Sequence, residues 1–188
     1  MSYIAVGSPL PEWRVSAWLN TPHRISVESL RGKVVLLHTF QMLCPGCVSH
    51  ALPQAQRVRQ LFPESEVAVI GLHTVFEHHS AMTETALQAF VHEYRWSFPI
   101  GIDHSGGPSG IPMTMTAYGL RGTPTHILLD RDGRVALHQF GPIDDLALGT
   151  QLGQLLHRSP LQRTPPEAEG MPTGKTEGCG AEACELSR

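Results

Sequence analysis

The chain of 188 residues carries few charges and no cluster of basic ones. Charged residues make up 16% of the sequence, the formal net charge is −3, and no run of Lys or Arg occurs. Nucleic-acid binding and a polybasic membrane anchor both depend on such runs, so neither is expected. The expected partners are proteins or small molecules.

Long apolar runs are also missing. Pro9, Pro11 and Glu12 interrupt the first apolar segment, and no basic stretch precedes it. The pattern predicts neither a signal peptide nor a transmembrane span. We therefore expect a cytoplasmic protein without a membrane partner.

Cysteine is scarce, with four residues in the chain. Cys44 and Cys47 form the sequence Cys-Pro-Gly-Cys, whereas Cys179 and Cys184 lie close to the C-terminus. Four cysteines at these spacings do not make a disulfide scaffold for a chain of this length. Redox, catalytic or metal-binding roles gain weight instead.

Apolar runs and stripes alternate along the first part of the chain. The length and the 41% hydrophobic content suit a single α/β domain. The predicted elements are strands over 33–40, 66–74 and 98–102, helices over 45–62, 82–94, 114–118 and 146–156, and a hairpin of 125–130 with 134–140. The first three strands are expected to be parallel, since a helix connects each to the next.

The composition changes after His157. Residues 158–188 are rich in Pro, Gly and Glu and contain little that packs. The sequence therefore predicts a domain over 1–157 and a flexible tail over 158–188.

Cys44 and Cys47 stand where the first predicted strand passes into a helix. The first turn of a helix presents unpaired N–H groups and a positive partial charge, which favour a thiolate over a thiol. Cysteines in such positions have pKa values of roughly 3.5 to 7.5. Cys44 is therefore expected to attack a disulfide, and Cys47, one turn further on, to resolve the mixed disulfide.

The chain resembles the thioredoxin-fold thiol–disulfide oxidoreductases, in particular the TlpA/redoxin-type branch. The resemblance covers about residues 7–157 and rests on "CPGC" after "VVLLHTF", on "ALQAFVHEYRWSFPIGID", and on "YGLRGTPTHILLDRDGRV". It implies a central mixed β-sheet flanked by helices, with an inserted helix and strand. It also implies a cis peptide bond between Thr123 and Pro124, opposite the cysteine pair.

Two residues depart from the family pattern. Leu43 stands where a Trp usually precedes the first cysteine, which predicts a different partner surface. His38 takes the place of a buried Asp that assists proton transfer in thioredoxins. His38 is a candidate proton acceptor for Cys47, since an imidazole has an ordinary pKa near 6.5. The alternative is an inert, hydrogen-bonded histidine of the core.

Two other function classes remain open at this point. A thiol peroxidase is one, although peroxiredoxins carry Pro and Thr or Ser where this chain has Leu37 and Gln41. A metal-binding or metal-delivery module that uses Cys, Met and His is the other. The cysteine spacing differs from that of the related copper-assembly proteins, and no His stands at a matching position. His78 and His79 are expected to lie in a polar loop. No metal or other cofactor is predicted.

Cys179 and Cys184 form a possible second redox pair. About 21 residues separate Arg158 from Cys179, and a flexible tether of that length reaches about 25 Å. The pair is interpreted as a mobile dithiol that exchanges with Cys44, as a pair of metal ligands, or as two incidental thiols.

Dithiol–disulfide exchange is the function that the sequence favours. The expected substrates are protein or small-molecule disulfides, and the expected reductant is a thioredoxin or glutathione system. The candidate site residues are Cys44, Cys47, His38, Thr123 and Pro124.

Overall fold

The computed structural model describes residues 4–106 and 110–157. Six strands form one sheet in the order β1-β4-β3-β2-β5-β6. The strands are β1 Val15–Leu19, β2 Val34–Phe40, β3 Val67–His73, β4 Ile100–Asp103, β5 Thr125–Leu129 and β6 Val135–Phe140. The helices are α1 Leu52–Leu61, α2 Glu84–Tyr94, α3 Met113–Tyr118 and α4 Asp145–His157, with a 3₁₀ turn at Glu28–Leu30 and a π-helical turn at Cys47–Ala51.

The predicted mixed sheet is confirmed. Strand β2 pairs with β3 in parallel, and β3 pairs with β4 in parallel. The remaining pairs, β1 with β4, β2 with β5, and β5 with β6, are antiparallel. Helix α2 and strand β4 are the inserted helix and strand that the resemblance implied. The predicted tail over 158–188 lies outside the described residues.

Strand β1 was missed by the sequence analysis. Its residues alternate weakly, and all five are half-buried or exposed. The strand exists because it pairs with β4, with Leu19 opposite Ile100 and Trp18 opposite Gly101. A pairing between segments so far apart in the chain has no local signal.

Two cores lie on opposite faces of the sheet. The first core contains Leu36, Phe40 and Cys47, and helices α1, α2 and α4 contribute to it. The second contains Val35, Leu37 and Tyr118, together with residues of the N-terminal segment and α3. Side chains alternate between the faces along a strand, which separates Leu36 from Leu37. We call these the Cys47 face and the Tyr118 face.

The helices of the fold are short. Within residues 4–106 and 110–157, no helix has both the length and the apolar character that crossing a bilayer requires.

Candidate active site

Cys44 lies between the end of β2 and the start of the following helix. Its backbone N–H donates to the carbonyl of Gln41 at 3.2 Å. Its own carbonyl accepts from the N–H groups of Cys47 at 3.0 Å and Val48 at 3.1 Å. The residue therefore closes the loop after the strand and accepts the first hydrogen bonds of the helix, as the sequence predicted.

The sulfur of Cys44 has one donor and one acceptor beside it. The backbone N–H of Cys47 donates to Sγ at 3.3 Å, and the thiol donates to the carbonyl of Thr123 at 3.5 Å. A hydrogen bond to an ionised acceptor is stronger than one to a neutral acceptor. The N–H of Cys47 is therefore placed to donate to Sγ of Cys44, while the half-buried side chain stays within reach of a partner.

Thr123 and Pro124 face the cysteine pair. The peptide bond between them is cis. A Cβ added to Gly46 would lie 3.5 Å from Cδ of Pro124, which is ordinary van der Waals contact. The proline ring thus lies beside Gly46, between the two cysteines, and the structure brings Cys44, Cys47, Thr123 and Pro124 together.

Cys47 is enclosed in the core. It has no exposed surface, and both thiols are free. Burial raises the pKa of the Cys47 thiol to about 12, with a further contribution from its hydrogen bond with Cys44. A partner therefore meets Cys44 first, and Cys47 requires a proton acceptor before it can attack.

The helix that carries the pair contains an irregularity that the sequence analysis missed. The N–H of Leu52 donates to the carbonyl of Cys47, five residues back, across the π-helical turn Cys47–Ala51. Pro53 follows at the start of α1 and has no N–H to donate to the preceding turn. Pro53 was the available signal for an irregularity in the predicted helix, because it cannot donate a hydrogen bond to the preceding turn. π-helical turns occur frequently at functional sites.

His38 lies in the core on the Cys47 face, between Leu36 and Phe40 of β2. It is fully buried, and its ring stacks on Phe40 at a centroid distance of 6.1 Å. Neither ring nitrogen has a hydrogen-bond partner among the described residues. Burial, with a smaller contribution from His126, lowers the pKa of His38 well below its ordinary value. The alternative prediction of a hydrogen-bonded core histidine is therefore right about the burial of His38 and wrong about its hydrogen bonds.

Two further buried histidines were missed. His126 lies opposite His38 in the register of β5 with β2, and their ring centroids are 4.9 Å apart. His73 of β3 packs on Phe40 at 5.2 Å. Burial lowers the pKa of each to about 4. A histidine inside each apolar strand pattern was the only local signal for this cluster.

Gln41 occupies the position that argued against a peroxidase. Its side chain is buried, its amide oxygen accepts from the N–H of Phe76 at 3.1 Å, and its amide nitrogen donates to Glu77 at 3.2 Å. Gln41 therefore holds the loop after β3 beside the cysteine loop. Its side chain provides no hydroxyl for activating a peroxide at Cys44.

The rim of the site is partly apolar. Leu43, directly before Cys44, is 57% exposed, and Phe140 is 49% exposed. Phe140 lies under the guanidinium of Arg121 at 5.6 Å, and a Cβ on Gly122 would approach its ring to 3.0 Å. An exposed leucine thus takes the place of the family's Trp, and a cation–π pair flanks Thr123.

Some predicted features are not placed by the structure. Cys179 and Cys184 lie outside the described residues, so the interpretations of that pair stay predictions. Among residues 4–106 and 110–157, no three His, Cys, Asp or Glu side chains are grouped so that they hold a metal ion.

The fold and the cysteine pair define a class of protein: a thioredoxin-like domain whose Cys-X-X-Cys faces a cis-proline. The Redoxin family model matches residues 5–147, more than half of the chain. The chain belongs to the redoxin family. The predicted relation to redoxin-type thioredoxin-fold oxidoreductases is therefore confirmed.

Solved structures and curated proteins agree with this assignment. A thioredoxin-like superfamily protein shares 48% identity with a TM-score of 0.78, covering 82% of this chain and 99% of its own. A thiol-disulfide isomerase from Corynebacterium glutamicum shares 50% identity with a TM-score of 0.77, covering 80% and 97%. Protein DipZ of Mycobacterium bovis is 32% identical over 145 residues, which is 76% of this chain and 20% of DipZ.

The curated relatives are longer than the matched region. The thiol-disulfide oxidoreductase ResA of Halalkalibacterium halodurans is 31% identical over 123 residues, which is 65% of this chain and 62% of ResA. This chain therefore spans about a fifth of DipZ and less than two thirds of ResA.

Proposed function

We propose that the protein exchanges disulfides through Cys44 and Cys47. The main support for this proposal is that the two thiols differ in their exposure to solvent and in their hydrogen bonds. Cys44 is half-buried at a helix start and accepts an N–H at 3.3 Å, whereas Cys47 has no exposed surface. The names of relatives such as ResA and the C. glutamicum isomerase support the same chemistry.

The first step forms a mixed disulfide. The Cys44 thiolate attacks one sulfur of the substrate disulfide, a new S–S bond forms, and the substrate's second sulfur leaves as a thiolate. The N–H of Cys47 supports the attacking charge. When the Cys44 thiol loses its proton, the carbonyl of Thr123 also loses the hydrogen bond that this thiol donates at 3.5 Å.

The second step releases the substrate. The Cys47 thiol loses its proton and attacks Sγ of Cys44, and the bond from Cys44 to the substrate breaks. The substrate sulfur leaves with the electron pair. Because Cys47 is enclosed, we propose that its proton passes to a group inside the core, and His38 on the same face is our candidate.

The substrates and the reductant belong to the proposal as well. The half-buried Cys44, exposed Leu43 and exposed Phe140 suit a protein or small-molecule disulfide that reaches the sulfur from the surface. A thioredoxin or glutathione system is the proposed reductant of the oxidised pair.

Trapping experiments test the assignment of the two thiols. Cys44→Ser and Cys47→Ser variants of the full chain are mixed with a disulfide-bearing peptide and analysed by mass spectrometry after acid quenching. We expect a stable mixed disulfide at residue 44 in the Cys47→Ser variant, and none at residue 47 in the Cys44→Ser variant. The opposite pattern would reverse the two roles.

The same samples report on the tail pair. Cys47→Ser protein treated with a limiting oxidant is expected to contain a Cys44–Cys179 or Cys44–Cys184 bridge if the proposed shuttle operates. Its yield should not depend on protein concentration, since the reaction is intramolecular. Absence of the bridge would remove the shuttle and leave the exchange at Cys44 untouched.

A further inference from the structure

Gln41 links the loop that carries the cysteines to the loop after β3. It directly follows the last residue of β2, and its side chain is buried. The amide oxygen accepts from the N–H of Phe76 at 3.1 Å, and the amide nitrogen donates to the carboxylate of Glu77 at 3.2 Å. A buried amide is costly unless it is hydrogen-bonded, so these two contacts fix the orientation of the side chain.

The main chain of Gln41 contacts both active-site cysteines. Its carbonyl accepts from the N–H of Cys44 at 3.2 Å. Burial raises the pKa of the Cys47 thiol to about 12, and a hydrogen bond with the main chain of Gln41 opposes this rise. A hydrogen bond that lowers the pKa of a thiol comes from a donor, and the donor of a main chain is its N–H. Gln41 thus presents both of its main-chain polar groups to the cysteine pair.

Few other groups act on the Cys47 thiol. Cys44 raises its pKa through a side-chain hydrogen bond and through its charge, whereas the side chain of Thr123 lowers it through a hydrogen bond. The charged partner of Gln41, Glu77, is exposed. Within the described residues, Gln41 and Thr123 are thus the hydrogen-bonding groups that favour the thiolate of Cys47, and the contribution of Gln41 is the larger.

We propose that Gln41 is a positioning residue for the resolving step: its fixed side chain holds its main-chain N–H against Sγ of Cys47, where this N–H stabilises the attacking thiolate. The inference rests on the proposed function and deepens it. A hydrogen bond to an ionised acceptor is stronger than one to a neutral acceptor. The N–H therefore binds Cys47 more tightly once its proton has left, and a donor already in place requires no rearrangement at that moment.

The step requires no reactant beyond those of the exchange. Cys47 loses its thiol proton, its thiolate attacks Sγ of Cys44, and an S–S bond forms between the two cysteines. The S–S bond from Cys44 to the substrate breaks, and its electron pair leaves with the substrate sulfur. The proton that Cys47 loses is balanced by the one that the departing substrate thiolate takes up from solvent. Gln41 donates a hydrogen bond throughout and gives up no proton.

Stopped-flow kinetics with Ellman's reagent separates resolution from the first attack. This aromatic disulfide releases one coloured thiolate on attack by Cys44 and a second on resolution by Cys47. The reduced full chain carries Cys179→Ser and Cys184→Ser, so that only the active-site pair reports.

Two buried glutamines provide a variant and its matched control. Gln41→Met removes both side-chain hydrogen bonds at nearly constant volume. Gln54 of α1 is also buried, and its amide donates to the carbonyl of Ile143 at 2.9 Å and to the carboxylate of Asp145 at 2.7 Å. Gln54→Met therefore removes a comparable amide that does not bind the loop after β3.

The proposal makes a specific prediction for the second phase. At neutral pH we expect resolution to slow about tenfold in Gln41→Met, which is less than the roughly hundredfold loss that a displacement of about 1 Å can cause. Gln54→Met should leave the second phase unchanged. The first phase should be the same in both variants and in the wild type, since the N–H that faces Sγ of Cys44 belongs to Cys47.

The direction of the change excludes a purely structural effect. A loosened loop would admit water to Cys47, lower its pKa towards the ordinary value and speed resolution, because burial is the largest cause of the raised pKa. Loss of the N–H donor raises the pKa further. The curve of the resolution rate against pH should therefore move to higher pH in Gln41→Met, by about one pH unit for a tenfold loss.

Two substitutions of Glu77 separate its hydrogen bond with Gln41 from its charge. Glu77→Gln and Glu77→Leu both remove the charge, but only the glutamine retains an oxygen that accepts from the Gln41 amide. Resolution should be slower in Glu77→Leu than in Glu77→Gln. In a Gln41→Met background the two substitutions should give equal rates, since the bond they differ in is already absent.

The outcomes distinguish the inference from the proposed function. An unchanged or faster second phase in Gln41→Met would overturn the role of Gln41, and so would an equal loss in Gln54→Met. If Gln41→Met does not fold, equal resolution in Glu77→Leu and Glu77→Gln would overturn it. A wild type that releases no first thiolate at Cys44 would overturn the proposed disulfide exchange itself.

Discussion

The two faces of the sheet treat buried polar groups differently. On the Tyr118 face, the hydroxyl of Tyr118 donates to the carbonyl of Pro11 at 2.6 Å. The carboxylate of Asp103 accepts from the Thr74 hydroxyl at 3.0 Å and from the N–H groups of Thr114 at 2.9 Å and Met115 at 3.0 Å. On the Cys47 face, the ring nitrogens of His38 and His126 have no such partner among the described residues.

The buried polar groups on the two faces of the sheet therefore contribute differently to the stability of the fold. Hydrogen bonds on the Tyr118 face tie α3 and the N-terminal segment to the strands, so its polar groups stabilise the fold. The imidazoles of His38 and His126 on the Cys47 face are costly to bury, and their ring nitrogens make no hydrogen bond within the part of the chain that the structure describes. Their burial therefore destabilises the folded state without a compensating hydrogen bond among the described residues.

Acid should reveal the cost of the Cys47 face, and this is the largest expected effect. Burial lowers the pKa of His73 and His126 from 6.5 to about 4. As the pH falls, these histidines therefore bind protons in the unfolded chain before they do so in the folded protein. The free energy of unfolding is highest above their ordinary pKa of 6.5 and decreases as the pH falls towards 4. From about pH 7.5 to about pH 4.5, we expect a loss of about 2 to 3 kcal/mol for each imidazole, and therefore about 4 to 6 kcal/mol for His73 and His126 together.

Urea unfolding at the two pH values measures this loss. His126→Leu and His73→Leu should each flatten the pH dependence by the contribution of one imidazole. Substitution of His92, whose side chain is 86% exposed, serves as the control and should not change it. Asp103 contributes with the opposite sign, since burial raises its pKa, but it is common to all variants. An unchanged slope in His126→Leu would contradict the prediction.

Adjacent leucines of β2 sharpen the comparison with a smaller effect. Leu36 is 1% exposed on the Cys47 face and Leu37 is 0% exposed on the Tyr118 face. Truncation to Ala should cost about 2 to 5 kcal/mol at either position, because each leaves a cavity in a packed core. Denaturant unfolding measures this cost.

Only the truncation on the Cys47 face should change the chemistry. Leu36→Ala loosens the layer around Cys47, so the pKa of that thiol should fall towards its ordinary value and the resolving step should change. Leu37→Ala should leave the resolving step as in the wild type. Equal kinetic effects of the two substitutions would mean that the faces are not chemically separate.

The sequence predicted most of the strands and helices because their signals are local. The runs that became β2 and β3 are buried over their whole length, and Asp132-Gly133 marked the hairpin of β5 and β6. Gly133 adopts a φ of +71° in that turn, which a glycine tolerates without strain. Strand β1 had no comparable signal, since its pairing with β4 defines it.

The candidate site was predictable to the extent that it lies in contiguous residues. Cys44 and Cys47 could be placed from the strand-to-helix junction alone, whereas Thr123 and Pro124 entered through the family resemblance. His126 could not be paired with His38, because their contact depends on the antiparallel register of β2 with β5. Neither residue's surroundings in the chain indicate that register.

The π-helical turn Cys47–Ala51 bears on how Cys47 becomes accessible. Its wider hydrogen bonding and the missing N–H of Pro53 make this segment the least tightly held part of the helix. Local opening therefore requires less free energy here than in α1. We expect backbone amides 48–51 to exchange with deuterium faster than that of Val58, and slower exchange would contradict this. We expect brief openings of this single turn to expose the Cys47 sulfur to a partner without unfolding of the domain.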